Sequence, residues 1–358
     1  CLHARLMPLM TDFLASIQRS MLAAGLDCPV TIICGNGTGA DLGAIVDQAA
    51  VTMASGPAAT ARFGAAGGSR TALVVDVGGT TTDVCLLRDG APRLNREGCA
   101  IGQWRTHVEA VDMYTAGAGG DSRITCHRDG RIELEPARVQ PLAMTPDLPD
   151  PRTWMDAGLD SVLVLPVAGL DREVIDADPV LTALDRLGPL PPSSLGAESG
   201  ITGILLEKRL EHLAYRQRLV LAGFTPTDGL HALGRLDIGA REHSERAAMV
   251  LAAAAGLAPE TFCRRVVEAA ETAIETIILS YLGRTVWQDD QAVPVLNRRD
   301  NELFTLRFAL KLPLVGIGAA ARSFLPGVAE RLGTTVTFLD HCEVGNAIGA
   351  ALIGLDQA

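Results

Sequence analysis

The stretch VVDVGGTTTDV, residues 74–84, constrains this chain more than any other. Leu73-Val74-Val75 reads as a buried strand and Val84-Cys85-Leu86-Leu87 as its antiparallel return, so the residues between them must form a tight hairpin turn. Gly78 and Gly79 permit φ > 0 there. Backbone N–H groups at the tip then lack ladder partners, and beside the hydroxyls of Thr80, Thr81 and Thr82 they make a concavity suited to phosphate oxygens. Asp76, at the strand end, is placed to hold a hydrated Mg2+. An ordinary hairpin whose threonines serve strand propensity satisfies the same pattern. The rest of the chain has to decide.

Upstream, Leu2, Leu6, Leu9, Phe13, Ile17 and Met21 recur every three or four residues, which predicts an amphipathic helix over 2–24 ended by Gly25. PVTIIC (29–34) predicts a short buried strand. The glycine-rich GNGTGADLG follows at its carboxyl end, where open α/β sheets place ligands. SGPAATARFGAA then predicts a helix of small residues, with Ser55 as its N-cap and Pro57 in its first turn. Such a helix can approach another backbone closely.

Downstream of the hairpin, TAGAGGDSRI (115–124) and RIELEP (131–136) are expected to enlarge the sheet. Prolines at 141, 146, 149 and 151, and GPLPPSS (188–194), mark irregular chain. Residues 199–222, 242–256 and 259–283 predict three helices of an inserted, mainly helical region. Strand, glycine turn and helix then return over 312–333, followed by a strand at 334–339 and a helix at 344–355. The expected organisation is a first α/β part over 1–140, a mainly helical insertion over 141–294, and a closing α/β part over 295–358.

Composition excludes several classes. With a net charge of −11 and 4% aromatic residues, the chain offers no basic surface interleaved with stacking rings, which argues against nucleic acid and anionic membranes as partners. The longest apolar run, AAMVLAAAAGLA (247–258), is too short to span a bilayer and no signal peptide precedes the first helix, so a cytoplasmic location is expected. Eight scattered cysteines show no metal-finger spacing and are expected to be mostly buried fillers. A chain that opens on Cys1 is expected to be a fragment. His107, His212, His231 and His243 lack partnered spacing and are expected to serve packing or the surface.

The order SGPAATARFGAA, DVGGTTTDV, LVGIGAAARSFLPGVAERLG and EVGNAIGAAL resembles the second half of an actin-like ATPase of the sugar-kinase and heat-shock-chaperone superfamily. Within it, RDGAP (88–92), AGAGGDS (116–122), RDGRIELEP (128–136) and TPTDGLHALGRL (225–236) are similar, in order, to segments of the hydantoinase A / 5-oxoprolinase family. The resemblance implies an α/β fold: a ribonuclease-H-like lobe with a mixed sheet, an Asp-Gly-Gly phosphate hairpin and a helical insertion. It implies ATP and Mg2+ as cofactors, with Asp76 as metal ligand, Asp83 as a second catalytic carboxylate, and Gly78, Gly79, Thr80 and Thr81 on the phosphates. Gly316 and Gly318 would face the adenosine, and Gly119, Gly120 and Ser122 the substrate. Two readings stay open at three places. Asp83 is either a polar anchor or a partner for the turn's own amides, Gly117–Ser122 is either a substrate loop or a β-bulge, and Asp228 is either a helix cap or a substrate contact.

Members of that family use ATP to open a cyclic imide or lactam, or serve as the ATP-using subunit of ketone carboxylases. The implied activity is therefore ATP-dependent hydrolysis of a small cyclic amide of hydantoin or 5-oxoproline type through a phosphorylated intermediate. A carboxylase subunit or a non-catalytic ATP-gated subunit is the alternative, and a hydantoinase B-type subunit a possible partner. Departures from the family pattern are Ala319 in the adenosine turn, Asp121 where a glycine is usual, and ARVQPLAMTPDLPDP in place of a Pro-Gly-Pro segment. No second Asp-Gly-Gly-Thr turn precedes Asp76, so an N-terminal lobe is expected to be missing. The chain alone is then expected to be nearly inactive and to bind ATP at roughly millimolar concentration.

Overall fold

The computed structural model describes residues 2–98, 100–101, 104–105, 108–127, 129–156, 161–287, 302–303 and 307–356. The chain divides into two units, one of Cys1–Gly78, Thr82–Ala116 and Glu275–Ala358, the other of Gly79–Thr81 and Gly117–Ile274. The expected boundary at 294/295 lies outside the described residues.

The first unit is built on a six-stranded mixed sheet. Met113–Ala116, Thr82–Arg88, Ala72–Val77, Leu314–Ile317 and Val336–Phe338 lie side by side in that order, with Ala91–Pro92 paired to Thr82–Arg88. Thr82–Arg88 runs antiparallel to both of its main neighbours, Met113–Ala116 and Ala72–Val77, whereas Leu314–Ile317 runs parallel to both of its own. ALVVDV is buried along nearly its whole length, as a central strand covered on both faces must be. Phe63, Val74, Cys85, Val315, Ile317 and Cys342 form the core on one face.

The helices Ser55–Ala66 and Gly345–Leu355 cover that face through small residues. A Cβ at Gly349 would lie 1.8 Å from the carbonyl oxygen of Ala59, and one at Gly64 would lie 2.6 Å from Val74 Cγ2. The expected close approach is present. Ser55 is the first helical residue rather than the cap, which is Ala54 at φ 64° with no side-chain capping bond.

Two other expectations in this unit are corrected. The first helix spans Leu2–Ala23, but Met10 and Leu14 pack on Ile32 and Ile45 while Leu9 and Phe13 are exposed, so the buried stripe is rotated by one position at its centre. Thr31–Ile33 pairs antiparallel with Gly39–Asp41 as a separate ribbon. GNGTG is therefore a hairpin loop, closed by Cys34 N donating to Thr38 O at 2.7 Å, and not a crevice at the edge of an open sheet.

The second unit has a three-stranded sheet of Gln140–Pro141, Leu219–Gly223 and Val162–Pro166 and a two-stranded ribbon of Ser122–Cys126 with Ile132–Arg138. Of the stretches expected to enlarge the six-stranded sheet, Thr115 and Ala116 pair into it, and the ribbon shares no ladder with it. Phe224 and Phe262, with centroids 5.6 Å apart, anchor one core with Leu142 and Leu163; Leu181, Leu184, Leu195 and Leu210 make another. The helix predicted over 199–222 is Ile204–Tyr215, and 219–223 is a buried strand. Gln217 stops the helix in the left-handed region at φ 56°, with Arg218 N donating to Leu213 O at 2.9 Å. No helix among the described residues is long and apolar enough to cross a membrane.

Candidate functional site

The hairpin register is Val77 opposite Thr82 and Asp76 opposite Asp83, leaving Gly78, Gly79, Thr80 and Thr81 as the turn. Among the described residues, the amides of these four donate to no protein acceptor. Neither glycine takes positive φ, so conformational freedom is not what the turn requires of them. At Gly79 the requirement is space. A Cβ there would lie 2.2 Å from Asp121 Oδ2, and Asp121 N donates to Gly79 O at 2.7 Å. Arg138 Nη2 holds that carboxylate at 3.2 Å.

In the first unit, directly opposed residues of an antiparallel pair point to the same face, so Asp76 and Asp83 bring two carboxylates together. Thr60 Oγ1 donates to Asp76 Oδ2 at 2.9 Å, and burial pushes the Asp76 carboxyl up against that opposing bond. Asp83 is pushed up to about 6, first by burial, with the Asp76 charge adding to it and a bond from Thr115 working against it. Among the described residues, buried Asp83 Oδ1 has no hydrogen-bond partner. Such a pair is short of positive charge and of donors.

Gly318, at φ 95°, belongs to the same cluster. A Cβ on it would lie 2.4 Å from Asp76 Oδ1 and 2.5 Å from Val77 O. Its amide donates to Cys342 O at 2.9 Å. Gly316, by contrast, is inside the sheet, where a Cβ would meet Phe338 Cε1 at 2.4 Å and Leu325 Cδ1 at 2.9 Å.

In the second unit, the Gly117–Ser122 loop bonds to itself and its neighbours. Ser122 Oγ accepts from Gly119 N at 3.0 Å, and Gly120 O accepts from Thr227 N and Thr227 Oγ1 at 3.0 and 2.8 Å. The strand register shifts between Ser122 and Ile124, as a bulge requires. Gly119, Gly120 and Ser122 are buried.

Asp228 takes part in capping a helix, with Thr225 as the N-cap itself. It is the third residue of helix Pro226–Ala232 and completes a capping box with Thr225. Its fully buried carboxylate accepts from Leu142 N, Ala143 N, Thr225 N, Thr225 Oγ1 and Ser244 Oγ at 2.6 to 3.1 Å. His231 is buried with neither ring nitrogen bonded among the described residues, and burial lowers its pKa. His107 lies outside the described residues.

The sequence reading missed Thr60 and Asn346. Asn346 Nδ2 donates to Gly56 O at 3.1 Å and to Thr60 Oγ1 at 3.4 Å, behind Asp76. Only contacts across 16 and 286 residues of chain reveal them.

Among the described residues, no three His, Cys, Asp or Glu side chains converge as a metal cage. Two under-bonded carboxylates fit a cation that keeps most of its waters, as Mg2+ does.

The chain belongs to the hydantoinase/oxoprolinase family, whose sequence model matches residues 1–356. Its fold is similar to that of acetone carboxylase in the nucleotide-free state, described with ATP-dependent acetone carboxylation: TM-score 0.57 and 17% identity over 94% of this chain and 37% of that one. It is also similar to the ATP-dependent caprolactamase of Pseudomonas jessenii: TM-score 0.52 and 18% identity over 96% of this chain and 39% of that one. The chain thus spans less than two fifths of either. No curated protein sequence matches it.

Proposed function

We propose that the chain serves an ATP-dependent hydrolase that opens the amide of a cyclic imide or lactam of hydantoin or 5-oxoproline type. The observation that carries this is the facing pair Asp76 and Asp83, half-buried, like-charged and short of donors, in a member of the hydantoinase/oxoprolinase family. In this reading Asp76 and Asp83 hold a hydrated Mg2+, which neutralises phosphate charge. Thr60 keeps Asp76 from rotating away, and Gly318 leaves its carboxylate room. The free amides of Gly78, Gly79, Thr80 and Thr81 suit phosphate oxygens. Gly119 and Ser122 tie their loop internally, Gly120 ties it to Thr227, and Asp228 braces the helix that carries Thr227.

The chemistry follows from an amide's poor reactivity. The ring carbonyl oxygen attacks the γ-phosphorus of ATP and ADP departs. Water adds to the activated carbon, the ring C–N bond breaks, and a second water releases inorganic phosphate.

Asp76→Asn removes one charge at nearly constant volume. It should cut ATP consumption by about 10²- to 10³-fold without lowering the melting temperature. ATPase assays of the full-length protein with a panel of cyclic imides and lactams read both points. Unchanged turnover in Asp76→Asn sinks the metal assignment. A rate indifferent to every ring favours a gating subunit, and stimulation by ketones with bicarbonate favours a carboxylase subunit.

A further inference from the structure

Among the described residues, Asp76 has one hydrogen bond from another side chain, and the group that makes it is itself constrained. Thr60 lies in the helix Ser55–Ala66, 1% exposed, and its hydroxyl proton has two candidate acceptors. One is Asp76 Oδ2 at 2.9 Å. The other is the carbonyl four residues back, the usual partner of a helical threonine, which here belongs to Gly56.

Asn346 decides between them. Its side-chain amide donates to Gly56 O at 3.1 Å and points a hydrogen at Thr60 Oγ1 at 3.4 Å. An amide donor aimed at the hydroxyl oxygen leaves the hydroxyl proton to go outward, toward the carboxylate. Both contacts need the NH2 end of Asn346, which fixes the orientation of the amide. The helix Gly345–Leu355 can bring Asn346 there because Gly349 and Gly345 let it sit against Ala59 and Phe63.

We infer that Thr60 and Asn346 are positioning residues that hold the Asp76 carboxylate in one rotamer for cation binding. This rests on the reading of Asp76 as a metal ligand. The small-residue crossing of the two helices thereby acquires a second use: besides closing the core, it places a donor relay behind the carboxylate. Asn346 is exposed and lines a cavity of about 340 Å³ with Gly56 and Ser55, so shortening it opens no sealed void.

The test is calorimetric titration of full-length protein with Mn2+ alone, across wild type, Thr60→Val, Thr60→Ser, Asn346→Ala and Asp76→Asn. Thr60→Val keeps shape and loses the donor; Thr60→Ser restores it. Outer hydrogen bonds to a metal ligand are typically worth 10- to 100-fold in affinity, so Thr60→Val should bind about 10-fold more weakly, Asn346→Ala about 3-fold, and Thr60→Ser within about 2-fold. Asp76→Asn should abolish the binding. If Asp76→Asn abolishes it while Thr60→Val binds like wild type, the relay is overturned and the metal reading stands. If Asp76→Asn binds like wild type, the metal reading falls and the relay falls with it. Equal weakening in Thr60→Val and Thr60→Ser also overturns it, because the cause would then be packing. Asn346→Ala supplies an independent arm should Thr60→Val fold poorly.

Discussion

Asp228 in the second unit is fully buried and the Asp76–Asp83 pair in the first is half-buried, and the donors around them differ as well. Five protein donors converge on Asp228, two of them hydroxyls and three backbone amides. Asp76 takes a hydroxyl from Thr60, and Asp83 Oδ1 lacks any partner among the described residues while facing a like charge. Buried charge is costly unless it is paired or hydrogen-bonded. A saturated carboxylate holds a fold together, whereas an under-bonded pair persists where an external ligand completes it. Burial separates the two, since Asp228 is sealed and the pair is half-buried, and the donor inventory separates them further.

The largest effect should come from emptying the saturated centre. Asp228→Ala leaves the amides of Leu142, Ala143 and Thr225 and the hydroxyls of Thr225 and Ser244 without their common acceptor. At 1–3 kcal/mol for a buried donor left unsatisfied, with partial relaxation, the expected loss is about 3–5 kcal/mol. Urea unfolding should show a lower midpoint at unchanged slope. A loss below about 1 kcal/mol would mean the five donors find other partners and that Asp228 is not the keystone described here. Asp228→Asn, which keeps one acceptor oxygen, should fall between.

Much of this was legible from local pattern, and what was not depended on distance along the chain. The hairpin could be read because two apolar runs flank a glycine turn, and the closing strand, helix, strand and helix for the same reason. Thr225 and Asp228 spell a capping box within four residues, so one of the two readings of Asp228 lay in the sequence. Its bonds to Leu142, Ala143 and Ser244 did not. The helix stop at Gln217 went unseen because a glutamine, not a glycine, takes the left-handed position. Gly78 and Gly79 were placed correctly in a turn but for a φ they do not adopt; the space that Gly79 leaves is used by Asp121, which sequence cannot put there.

A smaller effect should appear in the pH dependence of the under-bonded pair. Asp83 is raised from 3.8 to about 6, so between those values the folded state holds a proton that the unfolded state has released. Its contribution to stability is therefore unfavourable above about 6 and is relieved as pH falls through that value. In metal-free buffer the melting temperature of wild type should rise as pH drops from about 7.5 to 5.5, by a few degrees at most. Asp76, Asp112 and Asp121 are raised as well, so only the difference from Asp83→Asn isolates this group. Calorimetric melts of the two proteins across that range read the difference. Parallel curves would remove Asp83 from the account.

The smallest effect concerns why the tip of the hairpin is glycine. A methyl group at Gly79 would meet Asp121 Oδ2 at 2.2 Å and Cγ at 2.7 Å, so in Gly79→Ala the aspartate must swing aside and give up Arg138. Arg138 is 65% exposed, and exposed ion pairs contribute roughly 0–1 kcal/mol; with the strain of displacement the total cost should be about 1 kcal/mol. At Gly318 the same test would be harsher, because the obstruction there includes the backbone oxygen of Val77 as well as a carboxylate, at φ 95°. Asp121→Gly removes the obstruction at the tip, so Gly79→Ala should cost close to nothing in the Asp121→Gly background. The double-mutant cycle would then give a coupling near 1 kcal/mol. If Gly79→Ala costs as much with glycine at 121 as with aspartate, the space at Gly79 is not kept for Asp121. Its missing side chain would then be explained by what approaches the turn from outside, which is the role the free amides of Gly79, Thr80 and Thr81 suit.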